Sequence, residues 1–331
     1  MIANRLLSCL MALLLLGCSR STDTCTLPKE IEEIAMDIQI TRLEKVFFEQ
    51  VTSDGILTGL ERYPAFAEKY LLEGEFEDRS AFVEEIVTLH NDPGMQELYR
   101  EVLIHYPGLE DLENMFEDAF KSIKYFFPEF EPPIIYTYVS GFTNDIYLTK
   151  DMLVISLDYF LPNDHRFQPV ELPQYISRRY TKEHLVPTVI TAISSWFNKT
   201  DLKDNTLLAE MIFYGKSYHF TKQVMPCTPD EFIIGYTSED IIACYSNEEM
   251  IYAHFIENEL FYETNPFEIR KYTGEAPFTD EISLDAPGRI GRWMGWNIVD
   301  DYRENNAIGL PELMKQDNAR EIFRLSGYRP R

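Results

Sequence analysis

From Asp37 to Phe127 the apolar positions recur at helical spacing, as in Phe82, Val83, Ile86 and Val87, and again in Leu98, Val102 and Leu103. Pro64, Pro93 and Pro107 break the pattern, so this stretch predicts a helical N-terminal half. The period changes at Ile134-Ile135-Tyr136-Thr137-Tyr138-Val139, at Ile146-Tyr147-Leu148 and at Met152 to Leu157, which are β-branched and aromatic runs separated by Gly141, Asn144 and Thr149-Lys150-Asp151. They predict a small antiparallel sheet over about 134–157. No crossover helix lies between them, which disfavours a doubly wound parallel sheet.

Helical spacing returns over Leu185 to Phe197 and Asn205 to Phe220. Thr228-Pro229-Asp230-Glu231 reads as a capping box with proline at the first helical position, closed by Gly235. Ser246-Asn247-Glu248-Glu249 opens a longer helix to about Tyr262, and a further one covers about Pro287 to Asn305. The expected class is therefore α+β, predominantly α-helical, with a helical C-terminal half.

A different apolar run stands at the N-terminus. Arg5 gives a positive flank, Leu6 to Gly17 a short apolar stretch, and Leu16-Gly17-Cys18 a lipoprotein cleavage signal. The stretch is shorter than the roughly 20 apolar residues a spanning helix needs. Cleavage between Gly17 and Cys18 would leave Cys18 as the lipidated first residue. Residues 18–36, with Ser19, Ser21, Thr22, Thr24 and Pro28, read as a tether, and 37–331 as one globular domain. The residues directly after Cys18 hold no tight acidic cluster, which favours a periplasm-facing protein at either membrane.

With 45% hydrophobic and 14% aromatic residues in 331, the chain is long enough to bury a large core. Its formal net charge of -25 disfavours nucleic acid and anionic lipid as partners, so attachment to a membrane falls to the lipid. Three cysteines follow Cys18, and no C-x-x-C is present. Cys227 and Cys244 are the candidate disulfide, with separate buried thiols as the alternative.

Catalytic signatures are sparse. The histidines, His90, His105, His165, His184, His219 and His254, never form H-E-x-x-H, so no metal or other cofactor is assigned. Tyr214-Gly215-Lys216-Ser217 contains Gly-Lys-Ser, but a phosphate loop needs glycine where Glu210 stands, and the segment reads as helix. Neither G-x-S-x-G nor G-x-G-x-x-G opens a helix after a strand, and no catalytic residue is assigned. Gly288, Gly291 and Gly295 share one helix face, while Arg289, Arg292, Trp293 and Trp296 project elsewhere. Each interior glycine costs a helix about 1 kcal/mol against alanine, so this face needs a packing partner. An intramolecular helix contact is the first expectation, and a surface for a partner protein around those arginines and tryptophans is the second.

Taken in order, Leu16-Gly17-Cys18; Asp37-Ile38-Gln39-Ile40-Thr41-Arg42; Lys124-Tyr125-Phe126-Phe127-Pro128; Tyr214-Gly215-Lys216; Gly235-Tyr236-Thr237; Ala276-Pro277-Phe278; Pro287-Gly288-Arg289-Ile290-Gly291 with Trp293 and Gly295-Trp296; and Ser326-Gly327-Tyr328-Arg329-Pro330 resemble the GldB family. These are gliding-motility lipoproteins of Bacteroidetes, and the resemblance spans the chain. It implies a non-enzymatic, lipid-anchored envelope protein whose partners belong to the gliding and type IX secretion apparatus. More distantly, the order of sheet, first helix and second helix is similar to zinc-peptidase-like domains, which implies a divergent envelope peptidase or hydrolase as the alternative. In that comparison Val189-Ile190-Thr191-Ala192-Ile193 holds no metal ligand, and Tyr214 stands where the second helix would carry its glutamate.

Overall fold

The computed structural model describes residues 25–330, so the cleavage signal and Cys18 lie outside the described residues. Helix α1 (Lys29–Glu32) precedes strand β1 (Ile40–Arg42). Six helices follow: α2 (Leu43–Phe48), α3 (Ser53–Arg62), α4 (Pro64–Lys69), α5 (Arg79–His90), α6 (Pro93–His105) and α7 (Glu110–Phe126). Pro64 and Pro93 each sit in the first turn of a helix, where the missing N–H leaves no intrahelical acceptor unpaired.

Strands β2 (Ile134–Tyr138), β3 (Ile146–Leu148) and β4 (Met152–Ser156) lie at the expected positions, but their pairing corrects the expected antiparallel sheet. The order is β1-β2-β4-β3; β1 runs parallel to β2, β2 runs parallel to β4, and only β3 is antiparallel to β4. The physical reason lies in the loop between Val139 and Asp145. It carries β3 past β4 to the outer edge, so the strands that meet are not neighbours in sequence. Asp158 holds that loop: its carboxylate accepts from the Ser140 and Phe142 backbone N–H groups at 3.1 and 2.8 Å. Gly141 and Phe142 both take positive φ there. β1 comes from within the helical half, where the periodicity predicts no strand. Every residue of β4 is buried, as for a parallel strand covered on both faces.

The second half continues with α8 (Gln174–Ser177), α9 (Lys182–Ser194), α10 (Leu207–Val224), α11 (Asp230–Ile234), α12 (Ser238–Ser246), α13 (Glu248–Glu257), α14 (Pro266–Thr273), α15 (Ile290–Asn306), α16 (Leu310–Lys315) and α17 (Ala319–Ser326). Gly235 closes α11 in the left-handed conformation, as its position predicts. The expected capping boxes at 228–231 and 246–249 do not form, because neither N-cap there makes a side-chain bond. The box forms instead at α12, where Thr237 and Asp240 satisfy each other's backbone N–H.

At the centre, α10 is buried on nearly all sides, against α9, where the Thr191 and Thr221 hydroxyls meet at 2.9 Å, on one side and α15 on another. A Cβ at Gly295 would overlap the carbonyl of Met211, and one at Gly215 would overlap the carbonyl of Gly295. The two helices thus cross backbone to backbone. This is the expected intramolecular contact, made at Gly295; Gly288 lies before α15, against the Ala276 carbonyl, and Gly291 approaches the Tyr272 carbonyl, so the three glycines do not form one helix face.

Candidate functional site

That close crossing draws α15 inward and sets the fate of the side chains around its glycine face. Trp293 is 1% exposed and Trp296 6% exposed. Trp293 packs against Tyr245 and Trp296 against Tyr218, at ring separations of 5.3 and 5.5 Å. The reading of these tryptophans as a partner surface is therefore corrected: α15 is enclosed on most sides, so they belong to the core. Arg289 and Arg292 are also withdrawn from the exterior, with side-chain exposures of 6% and 12%.

The two arginines meet a third that no sequence motif marks. Arg179, just beyond α8, donates from Nη2 to Oε2 of Glu275 at 2.7 Å. The Arg289 Nε lies 3.7 Å from the same oxygen, and Arg292 Nη1 lies 3.4 Å from Oε1. Arg289 and Arg292 are also held from behind. Arg289 donates to the Gly235 carbonyl at 3.1 Å, Arg292 donates to the Thr273 carbonyl at 2.5 Å, and Arg292 stacks on Tyr214 at 4.0 Å from the ring centre. Arg289 adopts a left-handed backbone (φ 64°) at the start of α15, which turns its side chain back toward α11.

These arginines line a cavity of about 220 Å³ together with His184, Thr188 and Tyr218, and no Asp or Glu among the described residues is in its lining. Burial pushes Glu275 up, but Arg289, Arg179 and Arg292 outweigh it and hold the carboxyl below its ordinary range. Burial, then the neighbouring Arg289, lowers Arg179. Burial also lowers His184 to about 4, so its imidazole is neutral at physiological pH and the charge of the cleft is carried by guanidiniums. The cleft can hold an oxyanion by charge-assisted hydrogen bonds.

The disulfide expectation is also corrected. Cys227 pairs with Cys25, at a Cα separation of 5.5 Å, and Cys244 is a buried free thiol on α12. Composition places Cys25 in a free tether, so the sequence offers no reason to bring it to Cys227. The segment carrying it also includes α1, whose Ile31 is buried, and this docks part of the expected tether onto the body. Lys216, in the Gly-Lys-Ser segment, is buried on α10 and donates to the carbonyls of Lys199 and Gln316 at 2.7 Å each, a structural use of the charge.

Among the described residues, one group of His, Cys, Asp or Glu has ligand atoms close enough for a single metal ion: Glu101, His105 and His165. Hydrogen bonds already engage Glu101 and His165. His165 Nδ1 accepts from the Phe167 N–H at 3.1 Å, which places the ring proton on Nε2, facing Glu101 Oε2 at 3.3 Å. A metal at Nε2 would have to displace that proton.

A helix-dominated α+β body, a glycine-mediated crossing at its centre and an arginine cleft beside that crossing define the class of protein. No helix among the described residues is long and apolar enough to cross a membrane. The chain belongs to the gliding motility protein GldB family, whose model matches residues 24–330. No curated protein and no solved structure matches it significantly.

Proposed function

We propose that this protein is a lipid-anchored, periplasm-facing component of the cell envelope that supports the gliding and secretion apparatus by holding a partner at the membrane, without catalysis. The family match over 24–330 carries the reading, because it covers the folded body and begins just after the Cys18 signal. The Cys25–Cys227 bridge supports an oxidising compartment, where such bonds persist. The cleft's cationic groups support binding in preference to acid–base work, since guanidiniums do not give up a proton in proteins.

The disulfide adds a geometric consequence. Cys25 is fixed to the body, so only the residues back to Cys18 can separate body from lipid, a reach of about 25 Å at full extension. A partner is then met close to the membrane surface. Crosslinking in cells tests this: the wild type is expected to capture envelope proteins that a soluble Cys18→Ala form loses. Recovery of the same partners by both forms would remove the role of the anchor.

A further inference from the structure

We propose that the cleft between α9, α11 and the start of α15 is a binding site for a compact carboxylate with an apolar flank, the carboxyl being received by Arg179, Arg289 and Arg292. This goes beyond the anchoring role and does not depend on it. The first observation is a charge imbalance. The chain as a whole carries 55 acidic and 30 basic residues, yet among the described residues three arginines line this cavity and no acid does. Glu275, behind them, is paired with all three. Other acids nearby do not enter the lining: Asp240 pairs with Arg178 at 3.2 Å, and Glu183 and Glu231 interact with His184.

Guanidiniums withdrawn from water are costly unless matched by anions, and one carboxylate leaves the cluster with surplus positive charge. The geometry also says which anion. Glu275 presents both its oxygens to the arginines, so these forks are already arranged around a planar carboxylate. Apolar side chains, Phe160, Ile176, Phe232, Ile233 and Ile234, also line the cavity. At about 220 Å³ the cavity is below the roughly 300 Å³ at which drug-sized sites begin, and suits one amino-acid-sized unit. Such a unit is either a free apolar acid or the last residue of a peptide chain.

Calorimetric titration of the detergent-solubilised full chain distinguishes these. The probes are N-acetyl-phenylalanine, its amide, a pentapeptide ending in phenylalanine with a free carboxylate, and inorganic phosphate. The free acids are expected to bind at least tenfold more tightly than the amide, and whichever acid binds more tightly identifies the source. Arg179→Gln is expected to weaken the acids at least tenfold, while Arg179→Lys restores part of that loss. Equal binding of acid and amide would overturn the proposal. Phosphate binding as tight as the acids would overturn the apolar flank. The wild-type acid and amide comparison holds even if Arg179→Gln does not fold.

Discussion

Two ionic clusters among the described residues, one beside the sheet and one beside the central helix crossing, are built to opposite rules. Beside the sheet, Arg42 donates to Glu44 at 2.6 Å, and the other Glu44 oxygen accepts from Thr137 on β2 at 2.7 Å. Arg42 also donates to the Tyr106 carbonyl, and Glu44 is fully buried. Charge there is matched one to one and sealed between β1, α2 and β2. Beside the α10–α15 crossing, three arginines share Glu275, whose side chain keeps 35% exposure, and they face a cavity. A matched and sealed pair fixes elements to one another. An unmatched and open one leaves charge for something that arrives from outside.

The largest expected effect breaks the second cluster at its foundation. Arg289 and Arg292 are placed by α15, which reaches α10 only because Gly295 has no side chain. Gly295→Val would push its Cβ into the Met211 carbonyl, a backbone atom that cannot move aside. The expected cost is about 4 kcal/mol or more in urea unfolding, or loss of the folded state. Gly74, where a Cβ would meet nothing within 4 Å, is the control, and Gly74→Ala is expected to change stability by less than about 0.5 kcal/mol. A mild Gly295→Val would mean that the helices do not meet at their backbones.

The next effect belongs to the sealed cluster. Glu44→Ala strands a guanidinium whose side chain is 12% exposed, and removing one partner of a buried pair costs roughly 3–5 kcal/mol. Chemical unfolding measures it. A loss below about 1 kcal/mol would show that water reaches Arg42 and that the two clusters are not different in kind.

A smaller effect comes from pH, through two buried histidines, His184 in the open cleft and His90 beside the sheet. Burial lowers both His90 and His184 to about 4, and His90 contacts the Tyr138 hydroxyl at 2.6 Å. In the unfolded chain a histidine titrates near 6.5, so between about 6.5 and 4 the unfolded state binds more protons. The contribution is complete above 6.5 and is lost as pH falls. By pH 5 the enclosed His90 is expected to cost about 2 kcal/mol, and His90→Gln is expected to flatten that part of the unfolding profile. A wild-type profile level from pH 7 to 5 would remove the assignment.

What is legible in the sequence follows the range of each interaction. Helices α6, α7 and α9, the strand positions and the left-handed Gly235 depend on neighbours within a few residues, and the pattern marks them. The close approach at Gly295 is visible because glycines inside a helix need a packing reason, although Gly288, counted with them in the sequence, falls before α15. The pairing of β2 with β4 is not, since it is set by a loop held through Asp158, and β1 joins from nearly a hundred residues away. Arg289 and Arg292 stand out beside those glycines, but what they surround is hidden. Arg179 and Glu275 lie 96 residues apart, and neither sits in a motif. Reading Trp293 and Trp296 as surface fails for a related reason: a glycine face sinks the whole helix, including the residues that point away from it. For the same reason of range, nothing in the sequence matches Cys25 to Cys227 across a separation of 202.

The finest test of the contrast is the smallest in energy. Glu275→Gln removes the negative charge from the open cluster but keeps an amide oxygen able to accept from Arg179. The Gly235 and Thr273 carbonyls still accept from Arg289 and Arg292, so the expected cost is about 1–2 kcal/mol, under that of Glu44→Ala. The sign of the response to added anions separates the two clusters further. With Glu275 neutralised, the arginines lack their internal carboxylate, so acetate is expected to raise the unfolding midpoint of the variant more than that of the wild type. The same salt is not expected to rescue Glu44→Ala, because no solvent anion reaches a pair sealed behind β1 and β2. Equal costs for the two substitutions, or equal rescue by acetate, would show that the open cluster is as structural as the sealed one.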